Sequence, residues 1–193
     1  MASAPAPCPA LPSPPSPCPA APSAVAPAPA RQELPFVIQD YSAGLGQVRA
    51  NNPEVKLSVE REPELGNQPV LSVRYPGPSD DPAGRDVWCE GKSRDWSAGR
   101  AISFRIKPEH ALQFSVSFFD RNHVVYTTLT ELQGGVWQPV RIPFAELQKN
   151  KYFQPPDAKL NVPLDLSDVP GIAFSPRDPD SGQFSISAIV VSE

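Results

Sequence analysis

Only two imidazoles, His110 and His123, are available for acid–base work, and neither stands in a motif with a serine or cysteine nucleophile. The thiols are Cys8, Cys18 and Cys89. No neighbouring motif activates Cys89, which falls in a strand-like run and reads as a small buried hydrophobe. Cys8 and Cys18, ten residues apart, could close a disulfide in an oxidising compartment or stand as free thiols; the three cysteines do not form a metal set. Carboxylates pair at Glu60/Glu62 and Asp80/Asp81, but 21 acidic residues make such neighbours inevitable by chance. There is no H-E-x-x-H, P-loop or dinucleotide fingerprint. The residue inventory therefore points to binding rather than bond-breaking, and the expectation is that the chain is not an enzyme.

Composition divides the 193 residues into a tail and a domain. Eleven of the first thirty residues are proline, nearly all the rest are alanine or serine, and none is charged or aromatic. Such a stretch buries too little apolar surface to offset its chain entropy and favours extended polyproline II. Residues 1–32 are expected to be a disordered, semi-rigid spacer, and residues 33–193 one domain. A net charge of −4 and a pI near 5.2, with Lys and Arg scattered, argue against a nucleic-acid partner. No run approaches the length of a membrane span, and the first thirty residues lack the basic and apolar regions of a signal peptide. Pro/Ala/Ser spacers commonly join modules of secreted bacterial proteins. The expected location is accordingly secreted, periplasmic or at the cell surface, possession of a further protein module being one option.

The domain is a succession of short runs alternating apolar and polar with period 2: residues 36–38, 55–60, 70–75, 100–107, 113–119, 124–129, 136–142, 169–175 and 183–191, with a shorter run at 86–90. Gly66-Asn67, residues 76–84, residues 120–123 and Gly134-Gly135 are turn or loop signals. In residues 113–119, Phe114, Val116 and Phe118 share one face; Gln113, Ser115, Ser117 and Phe119 share the other. Pro143 stops its strand, leaving room for one helical turn over 144–147. Amphipathic helices of three turns are missing. These features predict an all-β fold: a two-sheet antiparallel β-sandwich rather than a βαβ chain.

Five segments in order carry a family resemblance: GRDVWCEGKSRDWSAGRAISFRIK, QFSVSFFD, GGVWQPVRIPFAEL, LDLSDVPGIAFSP and SGQFSISAIVV. Together, over roughly residues 36–191, they resemble a galactose-binding-like jelly roll, as found in family 11 carbohydrate-binding modules and in the complex I intermediate-associated protein domain. The first relation implies a non-catalytic module that holds a polysaccharide, such as a β-glucan, on the concave face of one sheet. The second implies a protein-interaction or assembly domain with no sugar ligand.

A sugar site of the implied kind stacks aromatic rings on pyranose faces and bonds hydroxyls through carboxylates, amides and guanidinium groups. The candidate rings are Trp88, Phe119 and Tyr126, with Tyr75 behind them. The candidate polar partners are Asp120, Arg105, Arg141, Gln113 and Arg177. Each has a structural alternative: Tyr126 could cap a sheet edge, and Asp120 could belong first to its hairpin turn. Trp96 and Trp137 occupy positions that the resemblance assigns to packing. It also implies a structural calcium, with Asp40 as a possible ligand; no other cofactor is expected.

Overall fold

The computed structural model describes residues 33–77, 84–92 and 94–193. The backbone divides into two units, Met1–Ala30 and Arg31–Glu193, and every described residue belongs to the second. The expected spacer, both of its cysteines and most of the loop after Pro76 therefore lie outside the described residues.

The described residues of the domain form thirteen strands: β1 (Phe36–Gln39), β2 (Val48–Ala50), β3 (Lys56–Glu62), β4 (Gln68–Tyr75), β5 (Val87–Glu90), β6 (Ala101–Pro108), β7 (Leu112–Phe119), β8 (Val125–Leu132), β9 (Gln138–Pro143), β10 (Gln148–Lys149), β11 (Gly171–Arg177), β12 (Gly182–Ile186) and β13 (Ile189–Ser192). The only helical elements among the described residues are 3-10 turns at Pro63–Leu65 and Phe144–Glu146, the latter directly after Pro143.

All strand pairs are antiparallel and make two sheets. In the first sheet β6 is central, with β9 on one edge and both β12 and β13 on the other; β1 then flanks β13, while β4 and β3 follow β12. The second sheet runs β10-β8-β7-β11-β5-β2.

One long apolar run at the end of the chain becomes two strands because Ser187 interrupts it. Its hydroxyl accepts from the Arg105 N–H at 2.8 Å and its own N–H donates to the Arg105 carbonyl at 2.9 Å, so the ladder shifts without leaving those groups unpaired.

Alternation does the sorting between core and surface. Phe104, Ile106, Phe114, Val116, Phe118, Phe174 and Phe184 all face between the sheets, each at most 5% exposed. Their rings interlock: Phe114 meets Phe184 at 5.1 Å and 80°, and Phe104 meets Phe174 at 5.4 Å and 74°. Trp96, fully buried, sits on Phe118 at 5.4 Å and on Phe144 at 6.4 Å, so it is a core residue. Cys89 is also on this side, a free buried thiol pushed up to about 12 by burial, with the Tyr41 hydroxyl opposing.

Candidate functional site

Side chains of the second sheet that point away from the core fall into rows set by the strand register. The central row reads Gln148, Thr127, Ser117, Ala173, Trp88, Arg49 across β10, β8, β7, β11, β5 and β2. On one side of it lie Val125 and Phe119 from β8 and β7, with Gly171 and Glu90 paired from β11 and β5. On the other side come Leu129, Ser115 and Ser175, then Glu131, Gln113 and Arg177. The middle of the face is thus a floor of small, mostly hydroxylated residues. Thr127 Oγ1 lies 2.8 Å from Ser117 Oγ and accepts from Asn150 Nδ2 at 3.0 Å. Gln113 Nε2 donates to Glu131 Oε1 at 2.9 Å, and the Ser175 hydroxyl donates to Asp86.

The rings stand at one end of this floor. Trp88 and Phe119 meet edge to face, centroids 5.9 Å apart at 64°. Gly171 makes that placement possible: a Cβ there would lie 2.4 Å from the Cys89 carbonyl oxygen and 2.9 Å from Trp88 Cζ2. The indole therefore occupies space that any side chain at 171 would claim.

Beyond Phe119 the face opens into a pocket of about 260 Å3, walled by Arg94, Arg121, His123 and Asp168 among others. Arg94 Nε bonds Asp168 Oδ1 at 2.5 Å, Arg121 donates to the Ser167 hydroxyl at 3.2 Å, and His123 bonds the Asp157 carboxylate. A larger cleft of about 510 Å3, lined by Ser97, Asn122 and residues 162–166, contains no aromatic ring and so offers no stacking surface.

Of the residues expected at one site, Trp88, Phe119, Gln113 and Arg177 do share this face. Four others do not serve it. Tyr126 is a correction: β8 pairs it with Phe118, which faces inward, and its ring stacks on Phe118 at 6.0 Å and 24° with 4% exposure. Its hydroxyl is pushed above the usual tyrosine value by that burial, and also by Asp120. Tyr75 is likewise buried, from the first sheet, and donates to Asp178 at 3.0 Å. Arg105 and Arg141 are exposed on β6 and β9, which belong to the first sheet, so they cannot join Trp88.

Asp120 lines the pocket, yet its carboxylate is 1% exposed and committed to its own turn. It accepts from the N–H groups of Asn122 at 2.8 Å, Val124 at 2.9 Å and Asp165 at 3.1 Å. It is a staple for the 120–124 turn rather than a ligand group.

Asp40 is engaged by Lys92 Nζ at 2.8 Å and by Ser42. The hydrogen bond to the Lys92 ammonium, with the Ser42 hydroxyl and N–H, holds its carboxyl at about 2. Among the described residues no cluster of three or more His, Cys, Asp or Glu side chains could hold a metal ion, and a carboxylate facing an ammonium is a donor set that does not fit calcium.

Two rings were not anticipated. Tyr152 is 99% exposed and Phe153 57%, in the loop that leaves β10. Asn150 holds both: its Oδ1 accepts from the N–H of Tyr152 at 2.8 Å and of Phe153 at 3.0 Å, while its Nδ2 reaches Thr127 on the floor. The signal was present as two adjacent aromatics in a polar, proline-containing loop with no core periodicity to explain them.

Residues 25–191 match the carbohydrate binding domain of family 11. The chain belongs to that family. Among solved structures it is similar to the family 11 carbohydrate-binding module from Clostridium thermocellum in complex with a β-1,3-1,4-mixed-linked tetrasaccharide, with TM-score 0.65, 20% identity, and 83% of this chain and 97% of that chain covered. The family 11 module of a cellulosomal cellulase from the same organism gives TM-score 0.63 at 19% identity, covering 82% and 94%. A family 30 module of another of its cellulosomal cellulases gives TM-score 0.57 at 18% identity, covering 83% and 99%. At these identities the structural likeness establishes the jelly-roll sandwich. No curated protein matches the sequence. Of the two resemblances in the sequence, the family 11 relation is the one these matches support. The family is one of non-catalytic binding modules, and no helix among the described residues is long and apolar enough to cross a membrane.

Proposed function

We propose that this carbohydrate-binding domain holds a polysaccharide chain, a β-glucan such as the mixed-linked polymer, along the outward face of its second sheet. The observation that carries the reading is the Trp88–Phe119 ring pair at the end of a floor of Ser117, Ala173 and Thr127. Pyranose rings offer C–H faces to aromatic surfaces and hydroxyls to short polar side chains, and this face presents both in a line. Gln113, Glu131 and Arg177 supply hydroxyl partners at the far end, and the exposed Tyr152 and Phe153 stand in the loop that leaves the edge strand β10.

The face is built to bind and not to cut. Its outward carboxylates are spread out: Asp86, held by the Ser175 hydroxyl, lies four residues before Glu90, roughly 13 Å along the chain, and Glu131 on β8 lies three strand steps from both, roughly 14 Å or more, whereas glycosidic cleavage uses two carboxyls about 5–9.5 Å apart. Binding without cleavage suits a module that works at a secreted, periplasmic or cell-surface location, where polysaccharide is met.

Affinity electrophoresis against mixed-linked β-glucan, cellulose, xylan and galactan tests this. Retardation by at least one neutral polymer, abolished by Trp88→Ala, is the expected result; migration unaffected by every polymer refutes the reading.

A further inference from the structure

We propose that the pocket past Phe119 closes one end of the sugar-binding face and takes the terminal, non-reducing residue of the polysaccharide, so that the domain recognises chain ends; this rests on the glucan reading of the Trp88 face. Phe119 is the last residue of β7, Val125 beside it is the first of β8, and Gly171 is the first of β11. The sheet gives way to loops at this row. The Phe119 ring is shared: one edge meets Trp88, and the same side chain lines the pocket. A glucan that lies on the floor and passes the ring pair therefore meets the pocket next.

Three loops wall the pocket off. Arg94 follows β5, Arg121 and His123 belong to the β7–β8 turn, and Pro155 and Asp168 lie between β10 and β11. Backbone hydrogen bonds lace these loops together: the Val169 N–H donates to the Arg94 carbonyl at 2.6 Å, the Arg121 N–H to the Asp165 carbonyl at 3.1 Å, and the Lys159 N–H to the Asn122 carbonyl at 3.0 Å. Side chains cross the same junctions, Arg94 to Asp168 and His123 to Asp157. The wall is thus formed before any ligand arrives, and little ordering remains to oppose binding. At about 260 Å3 the pocket falls just below the roughly 300–1,000 Å3 of sites for drug-sized ligands. That is room for one sugar ring and not for a chain that continues.

The lining chemistry matches the end of a chain. A guanidinium only donates and a carboxylate only accepts, whereas a hydroxyl does both. Arg94 and Asp168, side by side and each about half exposed, offer a donor and an acceptor to two adjacent hydroxyls. A residue inside a 1,3- or 1,4-linked chain has the oxygen of its third or fourth carbon tied up in a bond. Only the non-reducing terminal ring keeps both as free neighbours. Phe119, Pro155 and Pro170 supply apolar surface for its C–H groups. Among the described groups that line or brace the pocket, Arg94 and Arg121 face Asp120, Asp157, Asp165 and Asp168, so acids outnumber the arginines. That balance disfavours a uronate or sulfated sugar and suits a neutral one.

Calorimetric titration of the whole chain with equal masses of intact mixed-linked β-glucan and of the same polymer after partial acid hydrolysis tests this. Hydrolysis creates chain ends without adding sugar, so the number of sites per gram should rise in proportion to the new ends. Borohydride reduction of a β-1,3-1,4-linked tetrasaccharide, which alters only its reducing end, should leave its affinity unchanged. Asp168→Asn should weaken tetrasaccharide binding roughly tenfold, the scale of a lost hydrogen bond to a charged group. Its melting temperature should stay near that of wild type, because the ion pair it breaks is exposed. An unchanged site number after hydrolysis, loss of affinity on reduction, or wild-type affinity in Asp168→Asn overturns the proposal and leaves the glucan reading standing. No binding of the tetrasaccharide or of either polymer preparation by wild type refutes both.

Discussion

Trp88 is a half-buried indole whose position is set by a missing side chain at Gly171 and an edge contact with Phe119. Because it lies on the solvent side of β5, its removal opens no core cavity. Trp88→Ala is expected to reduce glucan affinity by at least about tenfold, roughly 1.4 kcal/mol, with the melting temperature nearly unchanged; titration and thermal melts of the same sample check both halves. Tyr152, 99% exposed, should behave alike on a smaller scale, Tyr152→Ala costing a few-fold in affinity and nothing in stability. Asp178 shows the opposite kind of residue. Its side chain is 4% exposed, and although burial acts to raise its pKa, the Asp180 N–H, His110 and the Tyr75 hydroxyl outweigh burial and hold it below the ordinary carboxylate value. A depressed folded-state pKa stabilises the fold above the unfolded pKa of about 4 and is lost as pH falls through the folded value. Asp178→Asn should therefore lower stability at pH 7 and flatten the acid limb of a melting profile taken from pH 7 to 3.

At the scale of elements, the β7–β8 hairpin decides what each side chain can do. The turn at 120–124 is stapled by Asp120, and the register it sets pairs Phe118 with Tyr126 and Phe119 with Val125. Tyr126→Ala is predicted to cost about 3–5 kcal/mol of stability through a core cavity. Sugar binding per folded molecule should be unaffected, as a calorimetric titration below the melting range would show. Much of this was legible beforehand: the period-2 runs gave most strands and the faces of β7, because alternation is a local signal, while the packing role of Trp96 came from the family resemblance. The inward turn of Tyr126 was not, since a hairpin register depends on how many residues the turn consumes. Nor were β2 and β10, three and two residues long, which are too short to show a period. Sheet membership was the deeper obstacle. Arg105 and Trp88 lie seventeen positions apart in neighbouring strands of the sequence, yet β5 and β6 belong to different sheets.

The described domain is a sandwich whose two outer surfaces differ in chemistry. One sheet presents rings and a hydroxyl floor; the other presents mixed charges, Arg105, Lys107 and Arg141 among Glu60, Glu62 and Glu109, over serines. Both are flat ladders held by a common core of interlocking phenylalanines, so a change on either surface leaves the other in place. This separation makes the central claim, that the second sheet is the glucan-binding face, directly measurable. Isothermal titration of the chain with a β-1,3-1,4-linked tetrasaccharide, comparing wild type, Trp88→Ala and Arg105→Ser/Arg141→Ser, is that measurement. Saturable binding by wild type and the arginine variant with equal affinity, and loss of heat in Trp88→Ala, is the expected result. Equal binding by Trp88→Ala, or its loss only in the arginine variant, would contradict it.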